Sequence, residues 1–377
     1  MLTVGVLTVG VEEEFLLLEP DGSVAPVSAG VLRVTDGDDR LRHEFTAYQL
    51  ETASGVHTRL DRLHDELAEL RWVASRAAAL SGARLVATGV PPFRRGPLEA
   101  LADDARYHRL AARFPAATAA AAGTCGCHVH VGVADRDLAV GVLGRLRPWL
   151  APLLALSANS PFVGGADTGL GSARYEARRH WPTFRAPEAW ADAAEYDRAI
   201  AGLIADGTAL DVGGVHLLAR LSGRFPTIEL RVADTCLRAA DTVLFAGIAR
   251  ALVATLIDDI RHGRPAERRG AGEVEEDLAA AARHGLVVRG PQPPGRPAAA
   301  IADQLRVLLR KITPALAEFG DAAAVHARLG WLCHNGTGAE RQRTLRHHDP
   351  RPRAFIAALA DHTAPHSATA RQLAWAV

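Results

Sequence analysis

The sequence predicts an α+β fold organised around an antiparallel sheet. Three observations support this class. Segments 4–18, 41–52, 83–90, 125–133 and 226–234 alternate or run apolar as strands do. Longer segments between them carry apolar residues at helical spacing. The two kinds are interspersed without the regular strand–helix–strand rhythm of a parallel sheet, which favours antiparallel pairing.

In chain order, the first strand (4–18) ends at "EPDGS", a turn from which an extended partner can fold back. "LRHEFTAYQLET" (41–52) reads as a second strand, polar on one side. Leu60, Leu63, Leu67, Leu70 and Leu80 keep helical spacing over 59–80. "ARLVATGV" is a strand stopped by Pro91 and Pro92. "CGCHVHVGV" (125–133) and "PTIELRVAD" (226–234) alternate, and helices follow them over 135–158 and 237–262. "RGPQPPGRPAAA" (289–300) reads as a surface loop before a C-terminal helix starting near Ile301.

Composition excludes several function classes. A chain of 377 residues, 48% hydrophobic and 23% charged, is that of an ordinary globular protein with a large core. Its 43 basic and 43 acidic residues balance, so no global field favours nucleic acid or an anionic membrane. The single lysine, Lys311, sits in "LLRKITPAL" without a Gly-rich approach, which argues against a P-loop or a Schiff-base lysine. Four cysteines (Cys125, Cys127, Cys236, Cys333) make no disulfide framework in a chain this long and fit a reducing compartment. The start lacks a basic n-region, and the longest apolar stretch, "LAVGVLGRLRPWLAPLLALSA", is interrupted by Arg145, Arg147 and two prolines. A core helix and a cytoplasmic location are expected.

The chemistry sits in the strands. Residues i and i+2 of a strand share a face, so Glu12 pairs with Glu14 while Glu13 turns away beside Val11 and Phe15. The same rule pairs His128 with His130, and Glu229 with Arg231. Glu44 and Glu51 have opposite parity, so a bulge or strand end must intervene if both are to face one site. Each motif alone has an ordinary reading: "EEE" as a solvated edge, "HVH" as a structural pair or a zinc site, Cys125 and Cys127 as small buried thiols, "IELRV" as one ion pair. Together they place acids and imidazoles on apolar strands four times over. Oxygen ligands with an occasional imidazole suit Mg²⁺ or Mn²⁺.

These residues resemble the carboxylate–amine ligase family that includes the bacterial type 2 glutamate–cysteine ligases. The resemblance rests on "GVEEEFLL" (10–17), "QLE" (49–51), "ATGVPPF" (87–93), "CGCHVHVG" (125–132), "ALSANSPF" (155–162), "TIELRVADT" (227–235) and "GTGAERQR" (336–343), in the family's order. It implies a fold like the catalytic domain of glutamine synthetase: a curved antiparallel sheet, helices on its outer face, the active site on the concave face. On that basis 1–377 is a single catalytic domain. The implied reaction uses ATP and Mg²⁺ (or Mn²⁺) to turn a carboxylate into an acyl phosphate, which an amine converts to an amide. The resemblance assigns Glu12, Glu14, Glu44, Glu51, His128 and Glu229 as metal ligands. Arg231 and Glu229 become catalytic; Arg231, Arg220 and Arg341 contact nucleotide; Arg174 and Asn159 contact substrate. It also implies small-molecule substrates and a homodimer.

The chain departs from the family pattern at specific places. Leu217 and Leu218 replace a Trp–Asp pair, Glu176 stands for a second arginine, and Asp277 stands where Asn is common. Glutamate and cysteine, or the carboxylate and amine of a specialised pathway, are the expected substrates. Two alternatives remain at this stage: a non-catalytic nucleotide-binding relative, and a hydrolase centred on a metal at His128 and His130.

Overall fold

The computed structural model describes residues 5–267, 269–286 and 297–364. Its centre is a seven-stranded sheet. The strands are β1 (Val9–Leu18), β2 (Leu41–His43), β3 (Gln49–Ala53), β4 (Arg84–Val86), β5 (Gly126–Gly132), β6 (Ala219–Leu221) and β7 (Thr227–Asp234). They lie in the order β2-β3-β1-β5-β7-β6, with β4 also beside β1. Every pairing is antiparallel. β4 and β5 share one edge of β1: β5 meets Val9–Glu13 and β4 meets Leu16–Leu18.

Strand alternation sends the two sets of β1 side chains to different fates. Val9 and Val11 join a core with Leu60, Leu63 and Leu67 of the helix Leu60–Leu80 and with Val243 and Leu244 of the helix Ala239–Arg261. Glu13 points the same way and is fully buried, where Arg71 of the first of these helices meets its carboxylate. On the other face, Leu16 and Leu18 are covered by Phe355, Ile356 and Leu359 of the helix Pro352–Thr363. That cover stops short of Glu12 and Glu14, so the first half of β1 faces a cavity.

Several expected elements differ in detail, the strand expected over 83–90 being only Arg84–Val86 and the first strand beginning at Val9. The segment 41–52 is two strands, not one. A tight turn separates them, in which Gln49 Oε1 accepts from the Thr46 backbone N–H (3.2 Å) and hydroxyl (2.7 Å). The helix expected over 135–158 is Arg136–Leu146 and Leu150–Ser157 joined by a 3₁₀ turn at Arg147–Trp149, where Pro148 has no N–H to continue the α ladder. The C-terminal helix begins at Pro297, inside the expected loop, whose residues 289–296 lie outside the described residues.

Two helical stretches, Arg136–Ser157 and Ala239–Arg261, are long and apolar enough to cross a membrane, but 72% and 100% of their most apolar windows are buried inside the protein. They are core helices. Cys125, Cys127 and Cys236 are buried free thiols, Cys333 an exposed one.

Candidate active site

The sheet face carrying Glu12 and Glu14 forms the floor of a cavity of about 690 Å³. Register brings the functional groups of four strands side by side. Glu14 of β1 stands opposite Glu51 of β3, Glu12 opposite His128 of β5, and His130 of β5 opposite Glu229 of β7, which in turn faces Arg220 of β6. A register shift between Cys127 and Val129 lets β7 carry an extra residue past β5. Arg231 stands in this irregularity, its Nη1 3.4 Å from His128 Nδ1. Glu44 reaches the same floor because the turn after β2 breaks the alternation.

The acids and imidazoles fall into two triads, the ligand atoms of each within 4.8 Å of one another: Glu14, Glu44 and Glu51, and Glu12, His130 and Glu229. His128 belongs to neither and stands between them, its Nδ1 3.5 Å from Glu12 and 3.9 Å from Glu229, and its Nε2 3.6 Å from Glu14. His130 was not among the expected ligands. Its position two residues after His128 was the available signal, since both must share a face.

Electrostatics separate the two triads. Burial, then the neighbouring Glu14 charge, push the Glu44 carboxyl up to about 7. Burial, then Glu44, Glu12 and Glu14, hold Glu51 well above the ordinary carboxylate range. Burial raises Glu229 as well, but the Arg231 and Arg220 guanidiniums outweigh it and hold the carboxyl far below that range. Burial likewise opposes ionisation of Glu12, and the His128 and His130 imidazoles outweigh it. Burial and Arg231 lower the pKa of His128, leaving it neutral and able to ligate.

The residues fit divalent cations. His128 Nε2 and His130 Nε2 are buried without a hydrogen-bond partner, an expensive condition for a polar atom. Three carboxylates crowded within 4.8 Å repel one another unless protonated or bridged by a cation. The donors are oxygens and imidazole with no thiolate, which suits Mg²⁺ or Mn²⁺.

Glu12, Glu14, Glu44, Glu51, His128, Glu229, Arg220 and Arg231 thus line one cavity. Arg174, Asn159 and Arg341, expected at substrate or nucleotide, do not, and their positions correct that expectation. Arg174 is 1% exposed and lies flat on the sheet, its guanidinium 3.4 Å from the carbonyls of Arg231 and Val232. A Cβ on Gly126 would come within 2.3 Å of it, so this approach needs glycine there. Asn159 donates to the carbonyls of Ala87 and Thr235, and its own oxygen accepts from Gln342. Arg341 pairs with Asp241 at 2.5 Å, beside the Trp331 ring. Most of their polar groups find partners inside the protein, as burial favours, while Arg174 Nε and Arg341 Nη1 have none.

The departures from the family pattern also fall outside the cavity wall. Leu217 and Leu218 are core residues at 1% and 0% exposure. Glu176 pairs with Arg179, and Asp277 accepts from Gln304. The cavity instead contains residues without a sequence signal of their own, among them Arg178, His216, Tyr107 and the Arg106–Asp211 pair.

Strand carboxylates and arginines around a cavity, on an antiparallel sheet without a P-loop, define an ATP-dependent ligase that joins a carboxylate to an amine. The pattern described as "Glutamate-cysteine ligase family 2" matches residues 8–362, and the chain belongs to that family. It is 42% identical over 367 residues to a putative glutamate–cysteine ligase 2 of Salinispora tropica, covering 95% of this chain and 96% of that one. It is 41% identical over 373 residues to a putative glutamate–cysteine ligase 2-2 of Frankia alni, covering 91% and 93%. Among solved structures, a Francisella tularensis glutamate–cysteine ligase in complex with AMP matches with TM-score 0.59 and 15% identity over 100% of this chain and 95% of that one. A bifunctional glutathione synthetase from Pasteurella multocida matches with TM-score 0.70 and 15% identity over 95% of this chain. The chain spans about half of that larger protein, 52% of its length. At such identities the two structures establish a shared fold.

Proposed function

We propose that this ligase activates a small carboxylate with Mg-ATP and passes it to an amine, glutamate and cysteine being the substrates its relatives' names suggest. The observation that carries the reading is the pair of triads on the cavity floor, one of three carboxylates and one of two carboxylates and an imidazole. Glu14, Glu44 and Glu51 would hold one divalent cation, and Glu12, His130 and Glu229 another, with His128 between them. Bound there, the cations would supply Lewis-acid screening of the phosphate charge.

The chain's own residues do the rest. In the described structure Arg231 and Arg220 share Glu229: Arg231 donates to Oε1, and Arg220 donates to Oε2 from Nε and to Oε1 from Nη2. Once that carboxylate serves a cation, Arg231 has less call on it and can turn its free N–H groups to phosphoryl oxygens. A guanidinium placed there stabilises charge that grows during transfer. The amine then displaces phosphate from the acyl phosphate, giving the amide. One catalytic domain in the cytoplasm, assembled as a homodimer, remains our expectation; the buried free thiols and the family resemblance support it.

The test is ADP release. Glu12→Gln and Glu229→Gln should each lower Mg-ATP turnover by at least about a hundredfold without unfolding the protein. Turnover near that of the wild type in both would sink the assignment of the second triad.

A further inference from the structure

The cavity's arginines can be sorted by what answers their charge. Arg220 and Arg231 face Glu229, and Arg106 makes a two-pronged pair with Asp211 at 2.7 and 2.8 Å. Arg42 and Arg224 are exposed to solvent. Arg178 differs. It lines the cavity half-buried, makes no ion pair among the described residues, and its Nε is buried without a partner. Its Nη1 donates to Thr124 Oγ1 at 3.3 Å and its Nη2 to His216 Nδ1 at 3.2 Å. Glu14 and Glu44 attract it only from further away, while Arg174 and Arg231 repel it. Burial, then Arg174, bring it down to about 9, so it still carries its charge at neutral pH.

His216 adds a second unused donor. A guanidinium only donates, so Nδ1 of His216 accepts and the ring proton sits on Nε2. That Nε2 is buried and has no partner. Burial and Arg178 hold the imidazole neutral, so this tautomer persists. Beside it the Trp181 ring lies 4.8 Å away, and Phe45, Tyr107 and Leu110 continue an apolar wall of the same cavity.

We propose that Arg178 and His216 anchor a substrate carboxylate that is not consumed in the reaction and is retained in the amide product. The corner has one net positive charge, a planar fork and an additional N–H, which match one carboxylate. A triphosphate carries more charge and belongs with the two triads. The reacting carboxylate must lie beside Arg231 and the phosphoryl group. The apolar wall suits the carbon skeleton joining the two ends of a substrate. This assignment rests on the ligase reading, but its binding arm does not need turnover.

In the first arm, succinate is titrated into the wild-type protein and tryptophan emission followed, with Trp181→Phe identifying the signal from this corner. Saturable binding is expected, weakened on the order of 10- to 100-fold in Arg178→Gln, the loss of a charge-assisted hydrogen bond. Arg178→Lys, which keeps the charge without the fork, should recover part of it. Succinamide should not compete. Equal binding of succinate by wild type and Arg178→Gln, or of succinate and succinamide by wild type, overturns the proposal.

In the second arm, ADP release is measured with L-glutamate and L-cysteine, then with isoglutamine for glutamate and cysteamine for cysteine. The analogue whose missing carboxylate raises KM in wild type, and not further in Arg178→Gln, identifies the substrate anchored there. A rise in KM for ATP alone in Arg178→Gln makes it a phosphate contact and also overturns the proposal. Absence of glutamate–cysteine turnover refutes those substrates and leaves the succinate result to decide the anchor.

Discussion

Glu13 offers the sharpest test of how the strand distributes its three acids. Its carboxylate is fully buried and accepts from Arg71 Nε at 2.9 Å, Arg71 Nη2 at 2.6 Å and Thr242 Oγ1 at 2.6 Å. Glu13→Gln would leave the Arg71 cation buried against an amide. Four other acceptors remain to it, the Thr242 hydroxyl and the carbonyls of Cys236, Leu237 and Thr363. Removing one partner of a buried pair costs about 3–5 kcal/mol, and these acceptors favour the lower end. For a chain of 377 residues, an unfolding entropy of about 2.1 cal/mol/K per residue converts this into a fall in Tm of about 4–6 °C. Glu12→Gln, one residue earlier on the opposite face, should shift stability by less than about 1 kcal/mol. Thermal unfolding with and without Mg²⁺ separates the two: Glu13→Gln should lose stability and keep the Mg²⁺-dependent rise in Tm, whereas Glu12→Gln should do the reverse. If Glu13→Gln melts within 1 °C of wild type, or loses the Mg²⁺ response, the parity reasoning fails.

Two further predictions concern charge. Arg231→Ala should reduce turnover by about 10²–10³ while weakening ATP binding only a few-fold, because its charge matters most during transfer; single-turnover kinetics with equilibrium nucleotide titration would test this, and equal losses in both would make it a ground-state anchor. His362 Nδ1 accepts from Arg238 at 2.8 Å, and burial, then Arg238, lower its pKa to about 4. The folded state thus resists protonation while the unfolded chain takes up a proton below about 6.5. Stability present above pH 6.5 should be lost as pH falls towards 4, by at most about 3 kcal/mol. Denaturant titrations of His362→Gln should lack this part of the acid slope; an unchanged slope refutes the assignment.

Much of the site could be read from a repeat of two residues. Glu12 with Glu14, His128 with His130, and Glu229 with Arg231 share faces because side chains alternate along any strand, whatever it packs against. Glu13 leaves the chemistry for the same reason. His130 obeyed the rule too, and Arg178 lies one helical turn beyond Arg174 in Ala173–Arg178, yet only Arg178 reaches the cavity. His130 falls in one triad and His128 in neither, and it is the family match over residues 8–362 that favours a ligase over a His-centred hydrolase.

What the sequence determined by itself, then, was local: strand faces, the absence of a P-loop, and the set of acids and imidazoles, all consequences of short-range geometry and residue chemistry. Tertiary structure alone decided the rest. The turn between β2 and β3 brings Glu44 and Glu51 to one floor despite their parity, and the β5–β7 irregularity sets Arg231 against His128. Arg174, Asn159 and Arg341 are drawn into buried networks, while Arg178 and His216 are left facing the cavity. Which cation finds a partner depends on contacts between residues tens to hundreds of positions apart, and no local period encodes those.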